Sequence, residues 1–137
     1  ARNSAHPVRQ GKMVCTQCHN PHGSLTDGLL KTSTRNETCY MCHAEKRGPF
    51  LWTHAPAAED CGACHEFHGS MHQPLLKKRV PLLCQQCHAA SGHPSVGYTS
   101  EMTEDTFQQR FMLARSCGNC HAQVHGSNHP SGVILTR

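Results

Sequence analysis

The chain has 137 residues, of which 36% are hydrophobic and only 5% aromatic, and its formal net charge is +4 at pH 7. A typical globular chain is about 45–50% apolar, so this length and composition allow at most one domain and exclude a large side-chain core. The sequence contains no apolar run that could span a bilayer and no visible signal peptide. Residue 1 is therefore expected to begin a mature chain or a fragment.

A polar stretch over residues 1–14 leads into Cys15-Thr16-Gln17-Cys18-His19, a C-x-x-C-H motif. The motif occurs five times, at residues 15–19, 39–43, 61–65, 84–88 and 117–121. It is typical of c-type haem attachment, in which both thiols add to porphyrin vinyl groups and the histidine supplies the proximal imidazole to iron. The sequence therefore predicts five haem c groups, which would form most of the core.

Each motif contributes two attachment cysteines and one proximal histidine. The predicted attachment residues are Cys15, Cys18, Cys39, Cys42, Cys61, Cys64, Cys84, Cys87, Cys117 and Cys120. The predicted proximal ligands are His19, His43, His65, His88 and His121.

Two other interpretations of ten cysteines are a disulfide scaffold and a set of zinc sites. Disulfides give no reason for a histidine after every second cysteine. Zinc sites built from paired C-x-x-C units would leave one of the five pairs over, and tetrahedral zinc gains nothing from a histidine adjacent to its cysteine. Haem attachment accounts for both features.

Between the motifs the sequence has the character of loops. Residues 20–38 contain Pro21, Gly23 and a Ser/Thr/Asn run, and residues 44–60 contain Gly48-Pro49. One longer helix is predicted over residues 104–116, with Thr103 as N-cap and an apolar stripe through Phe107 and Phe111. Elsewhere the expected fold is mostly coil with short α-helices on the motifs, and little or no sheet.

Internal repetition predicts an elongated array. His22-Gly23-Ser24 followed by Leu29-Leu30-Lys31 recurs as His68-Gly69-Ser70 followed by Leu75-Leu76-Lys77, 46 residues later. A third His-Gly-Ser begins at His125. We expect a single pentahaem domain over residues 1–137, with repeat units at about residues 6–53, 54–92 and 93–132.

Eight further histidines are candidates for the distal position on iron. Three lie three or four residues after a proximal histidine and should reach a neighbouring haem: His22, His68 and His125. Three precede a motif in His-Pro or His-Ala-Pro context: His6, His54 and His93. These six are the predicted distal ligands, whereas His72 is expected to be structural and His129 a reserve ligand.

Methionine ligation would raise the reduction potential, but the five methionines do not recur at matching positions. Bis-histidine ligation throughout leaves no open iron position, so we expect no enzymatic activity. Haem propionates largely cancel the positive charge, so the composition does not indicate a nucleic-acid partner. Because c-type haem is attached outside the cytoplasm, the protein is expected to be exported to the periplasm or the cell exterior.

Several runs carry a family resemblance, among them residues 36–50, His54-Ala55-Pro56 and the run 125–132. They resemble the C-terminal half of the periplasmic decahaem cytochromes of the MtrA/DmsE type. That resemblance implies a multihaem electron conduit, which in the family sits in an outer-membrane porin. In size and haem count the chain also resembles the pentahaem electron donors of the NrfB type.

The sequence thus predicts electron transfer in respiratory or extracellular pathways, with redox proteins as partners. An alternative is a self-assembling filament, motivated by six distal candidates for five haems, in which His6 ligates the last haem of the next copy. A second alternative is a multihaem reductase with one open haem site.

Overall fold

The structure is a computed structural model that describes residues 2–88 and 116–136. Its α-helices are α1 (Arg35–Tyr40), α2 (Ala55–Glu59), α3 (Leu82–Gln85) and α4 (Cys117–Cys120). Four 3-10 turns lie at Cys15–Gln17, Ala44–Lys46, Cys61–Ala63 and Gly132–Ile134. The helix predicted over residues 104–116 falls outside the described residues.

The prediction of coil with short helices and little or no sheet is confirmed. Within the two described ranges, strand pairing is limited to isolated bridges such as Ser4 with Ser70 and Trp52 with Ser127. In the same ranges no helix is long and apolar enough to cross a bilayer.

Every C-x-x-C-H motif adopts one helical turn. The backbone N–H of each motif histidine donates to the carbonyl of the first cysteine, at 3.0 Å for His19, 2.9 Å for His43 and 3.0 Å for His65. The fourth and fifth motifs repeat this bond at 2.9 Å each. Because residues three and four apart lie on one face of a helical turn, both thiols and the imidazole of each motif are presented on the same side.

The polypeptide buries little of its own apolar surface. The chain exposes 10134 Å², whereas a folded monomer of its 15.1 kDa mass exposes about 7,100 Å². Among the described residues Leu135 is the one buried hydrophobic side chain, while Leu25 and Leu51 are exposed. Large apolar cofactors are therefore required to complete the core.

One buried amide side chain ties α1 to the third motif. Asn36 is 7% exposed, and its amide nitrogen donates to the carbonyls of Ala57 at 3.2 Å and Ala58 at 3.0 Å. Its amide oxygen accepts from the backbone N–H of Cys61 at 2.7 Å. Asn36 thereby satisfies backbone groups at the end of α2 and at the start of the next turn.

Replacement Asn36→Ala should lower the free energy of unfolding of the holoprotein by about 1–3 kcal/mol, because buried backbone groups lose their partners. Urea unfolding followed by circular dichroism measures this. The exposed Gln10 offers a control, since Gln10→Ala should change stability by less than about 0.5 kcal/mol. Equal unfolding midpoints for the two variants would contradict the role assigned to Asn36.

Candidate haem-binding sites

Four proximal histidines each lie opposite a histidine that was predicted as a distal ligand. The ring centroids are 6.4 Å apart in the pair His6–His43, 6.0 Å in His19–His68, 6.0 Å in His54–His88 and 6.2 Å in His65–His125. The planes are nearly parallel in three pairs, at 19°, 23° and 13°, and tilted by 50° in His6–His43.

These separations match two imidazoles on opposite sides of one metal ion. With metal–nitrogen bonds of about 2.0–2.1 Å, and about 1.1 Å from nitrogen to ring centre, the centroids would lie about 6.2–6.4 Å apart. Ordinary aromatic pairs also fall within about 4.5–7 Å, so one pair alone would decide little. Four pairs, each joining a motif histidine to a repeat-matched one, favour ligand pairs.

Three proximal histidines are oriented by the same kind of hydrogen bond. Nδ1 of His19 donates to the carbonyl of Gly28 at 2.5 Å, Nδ1 of His65 to that of Pro74 at 3.0 Å, and Nδ1 of His121 to that of Ile134 at 2.6 Å. A carbonyl oxygen can only accept, so Nδ1 carries the proton and Nε2 keeps its lone pair. This arrangement is the usual one around metal-bound histidine.

The carbonyls that orient these rings come from a strained turn. Each is followed by a leucine with positive φ: Leu29 at 54°, Leu75 at 59° and Leu135 at 52°. A left-handed conformation costs a non-glycine residue roughly 1–2 kcal/mol. Because the same strain recurs at matching positions of all three repeats, it serves to aim the preceding carbonyl at the proximal imidazole.

Two of the predicted distal histidines are oriented in the same manner. Nδ1 of His6 donates to the carbonyl of Phe67 at 3.1 Å, and Nδ1 of His54 to that of Val124 at 2.9 Å. Both accepting residues directly precede another predicted distal histidine, His68 in one case and His125 in the other. Each hydrogen bond therefore couples one predicted distal ligand to the segment that carries another.

Short antiparallel bridges hold these segments in register. Ser4 exchanges backbone hydrogen bonds with Ser70 at 2.9 and 2.7 Å, and Trp52 exchanges them with Ser127 at 3.0 and 2.9 Å. Ser4 and Trp52 each lie two residues before a predicted distal histidine. The sequence does not predict these bridges, because Ser4 and Trp52 share no side-chain chemistry; the one signal for them is the matching offset from His6 and His54.

The remaining predicted distal histidines have no such pairing among the described residues. His22 is exposed, and His93 lies outside the described ranges. At His129, Nδ1 accepts from the backbone N–H of Ser131 at 3.1 Å, so in the neutral ring Nε2 carries the proton and is not free to bind iron. His6, the residue on which the filament hypothesis rested, lies opposite His43 of its own chain.

Successive motifs approach each other through their cysteines. Burial, followed by the adjacent Cys61, raises the pKa of the Cys39 thiol to about 12, and Cys18 also lies close enough to contribute. Burial and the neighbouring Cys117 raise the pKa of Cys84 to about 11. Burial and Cys87 raise that of Cys64. Every motif is thus adjacent to the next in sequence order.

Two of the paired imidazoles are held in the neutral form. Burial is the main cause that lowers the pKa of His65, with the nearby His43 adding to it. Burial and the positive charge of Lys46 lower the pKa of His125. A neutral imidazole at pH 7 is the form that binds metal, because its lone pair is available.

The third motif is fixed by an ion pair. Asp60 caps the turn at Cys61–Ala63 by accepting from the N–H of Gly62 at 2.7 Å, and it accepts from Arg35 at 2.6 Å. Burial opposes ionisation, but these hydrogen bonds hold the pKa of Asp60 below its usual value. The stabilisation is therefore present at neutral pH and is lost as pH falls through that lowered pKa.

The donor set fits haem c and not a bare metal ion. Across residues 2–88 and 116–136, no three His, Cys, Asp or Glu side chains converge as a tetrahedral zinc site would require. The ten cysteines form no disulfide. Paired thiols on one face of a turn, a proximal imidazole beside them and a second imidazole opposite are the groups that a covalently bound haem uses.

Comparison with known proteins agrees with this donor set. The family described as "Doubled CXXCH motif" matches residues 6–48 and 54–93. The chain is 54% identical over 138 aligned positions, or 99% of its length, to the multiheme cytochrome MtrA of Shewanella baltica (strain OS185). It spans 41% of the length of that protein.

Substitutions at two glycines in matching His-Gly-Ser turns can test the bridges without changing a predicted ligand. A Cβ at Gly126 (φ +133°) would lie 2.6 Å from Cγ of Phe50, whereas one at Gly23 (φ +128°) meets no atom within 4 Å. Because backbone strain is similar at both positions, the clash with Phe50 should decide the difference. Gly126→Ala should lower the free energy of unfolding by about 1–3 kcal/mol more than Gly23→Ala.

Urea unfolding of the two holoprotein variants measures the difference. Equal losses of stability would mean that the segment before His54 does not pack on the His125-Gly126-Ser127 turn as described.

Proposed function

The chain belongs to the family of the doubled CXXCH motif, and from that premise we propose that it is an electron-transfer protein with five bis-histidine c-type haems. Haem iron supplies reversible one-electron oxidation and reduction. The polypeptide attaches the haems, supplies both axial ligands and arranges the sites in a row. The observation that supports this most directly is the set of four histidine pairs with centroids 6.0–6.4 Å apart.

The pairs support the following ligands for the first four haems in motif order: His19 with His68, His43 with His6, His65 with His125, and His88 with His54. For the fifth haem we propose His121 with His93. The tautomer of His129 disfavours that residue as an alternative. All the proposed axial ligands are histidines, which should give lower reduction potentials than methionine ligation.

Sequential contact of the motifs supports a linear path. The thiol neighbours Cys18–Cys39 and Cys39–Cys61 connect the first three motifs, and Cys64–Cys87 and Cys84–Cys117 connect the last three. Electrons entering at one end can thus pass through adjacent sites to the other. Because rigid backbone carbonyls hold the imidazoles, little of the protein needs to rearrange when a site changes charge.

Full axial coordination favours a carrier over an enzyme. A reductase needs an iron position that substrate can occupy, and four of the five sites have a second imidazole in place. We further propose that the protein is exported and acts in the periplasm or at the cell exterior. There it would exchange electrons with redox proteins, with a porin as the partner that the resemblance to MtrA-type conduits suggests.

Loss of one distal ligand tests the ligand assignment. His54→Ala should convert one of the five haems from low-spin to high-spin, because His88 would have no imidazole opposite it. Optical spectra and carbon monoxide binding report the change, and added imidazole should reverse it. His72→Ala is the matched control, since His72 has no histidine partner among the described residues, and it should leave all haems low-spin. A five-haem low-spin spectrum for His54→Ala would contradict the assignment.

Haem stoichiometry and redox behaviour test the function itself. Intact mass and haem absorbance should give five covalently bound haems per chain. A spectroelectrochemical titration should span a broad range of low potentials and reverse fully, because neighbouring sites interact. Fewer than five haems, or nitrite turnover by the native protein, would contradict a purely electron-carrying role.

A further inference from the structure

One ion pair lies between the attachment cysteines of two successive haem motifs. Arg35 begins α1 and Cys39 follows four residues later, so both side chains share one face of that helix. Asp60 directly precedes Cys61, the first attachment residue of the third motif. Nη1 of Arg35 and Oδ2 of Asp60 are 2.6 Å apart. The positive end of the pair therefore lies on the helix of the second motif, and the negative end lies at the start of the third.

Packing and hydrogen bonds hold both ends of this pair in place. The guanidinium carbon of Arg35 lies 5.4 Å from the ring centroid of Phe67, which is within the range of a cation–π contact. Oδ1 of Asp60, the oxygen that does not bind Arg35, accepts from the backbone N–H of Gly62 at 2.7 Å. A Cβ at Gly62 would overlap Nη1 of Arg35. The glycine thus leaves the space that the guanidinium occupies.

The field of the pair has opposite sign at the two motifs. Burial raises the pKa of the Cys39 thiol to about 12, and the positive charge of Arg35 acts against that rise. Burial also raises the pKa of the Cys61 thiol; there the negative charge of Asp60 adds to the rise, and Arg35 opposes it with a smaller effect. Thioether sulfurs do not titrate, but these directions give the sign of the field at each attachment site. It is positive at the second motif and negative at the third.

We propose that the Arg35–Asp60 pair is a dipole that separates the reduction potentials of two neighbouring haems, raising that of the second and lowering that of the third. A positive charge stabilises the ferrous state, which carries one more electron, and a negative charge destabilises it. The proposal rests on the five-haem function above. It gives the two side chains a role in electron transfer in addition to capping and packing.

Electron transfer between these two sites is then downhill in one direction. One electron leaves the ferrous iron of the third site, which becomes ferric, and reduces the ferric iron of the second site; no proton or further reactant is needed. The side chains of Arg35 and Asp60 are 46% and 44% exposed, so water weakens their field. Removal of one charge should change the ratio of ferrous to ferric iron at the neighbouring haem about two- to tenfold, or about 18–59 mV for one electron.

A variant in which the second haem titrates apart from the others makes the test specific. His6→Met removes the imidazole opposite His43, and a methionine or an open position there changes the potential and the spectrum of that haem. In this holoprotein Arg35→Gln should lower the potential of the separated component by about 18–59 mV in a spectroelectrochemical titration. Arg35→Lys keeps the charge and should retain most of the potential. An unchanged or raised potential in Arg35→Gln would overturn the inference.

The third haem is tested through its own proposed ligand. His125→Met removes the imidazole opposite His65 and separates that haem from the other four. In this background Asp60→Asn should raise the potential of the separated component. Asparagine keeps an oxygen that accepts from the N–H of Gly62, so the turn remains capped while the charge is lost. A potential that stays the same or falls would contradict the negative end of the dipole.

Two further variants separate the position of the charge from the number of charges. Gly62→Ala keeps both charges, but its methyl group displaces the flexible end of Arg35 and should lower the potential of the second haem in the His6→Met protein. Arg47→Gln removes a positive charge from a side chain that is 63% exposed and lies 3.8 Å from Glu37. It should shift the same potential less than about half as far as Arg35→Gln, because water screens it. Equal shifts for the two arginine variants would show an effect of net charge alone and overturn the inference.

Failure of the proposed function gives a different result from failure of the dipole. If His6→Met leaves five haems with native spectra and potentials, His6 is not an axial ligand, and the proposed ligand set fails together with the inference that rests on it. If the second haem separates but does not respond to Arg35→Gln, the ligand set stands and the dipole alone is wrong. Haem absorbance should show five haems per chain in every variant.

Discussion

The whole arrangement depends on holding two imidazoles at a fixed separation with their Nε2 atoms available. Backbone carbonyls accomplish this by accepting the Nδ1 proton, as Gly28 does for His19 and Phe67 does for His6. A chain with so little side-chain core could not position ligands by packing alone. Hydrogen bonds from rings to irregular backbone, reinforced by left-handed leucines, replace the rigid secondary structure on which most proteins build a site.

The same contacts join the repeats to one another. The bridge between Ser4 and Ser70 also brings His6 to the carbonyl of Phe67, next to His68. One short interface thus positions two of the predicted distal ligands. Such shared contacts suit a protein that must keep successive redox sites at fixed spacing.

The helical turns of the motifs and most of the fold could be predicted from the sequence because they are local. The geometry of a C-x-x-C-H motif depends only on the motif itself, since one helical turn places both thiols and the imidazole on the same side. The short helices, the lack of sheet and the absence of a side-chain core follow from composition. The repeat also indicated which histidines were candidates, since His68 and His125 occupy matching positions.

Which histidine meets which motif was decided only by tertiary structure, because partners such as His6 and His43 lie far apart along the chain. The bridges at Ser4 and Trp52 could not be predicted from the sequence either, since backbone hydrogen bonds depend on the path of the chain and not on side-chain identity. The sequence by itself determined that the chain carries c-type haem motifs and how many of them there are. The packing of one repeat on the next decided which histidines face each other, because only there do imidazoles that are distant in sequence come together.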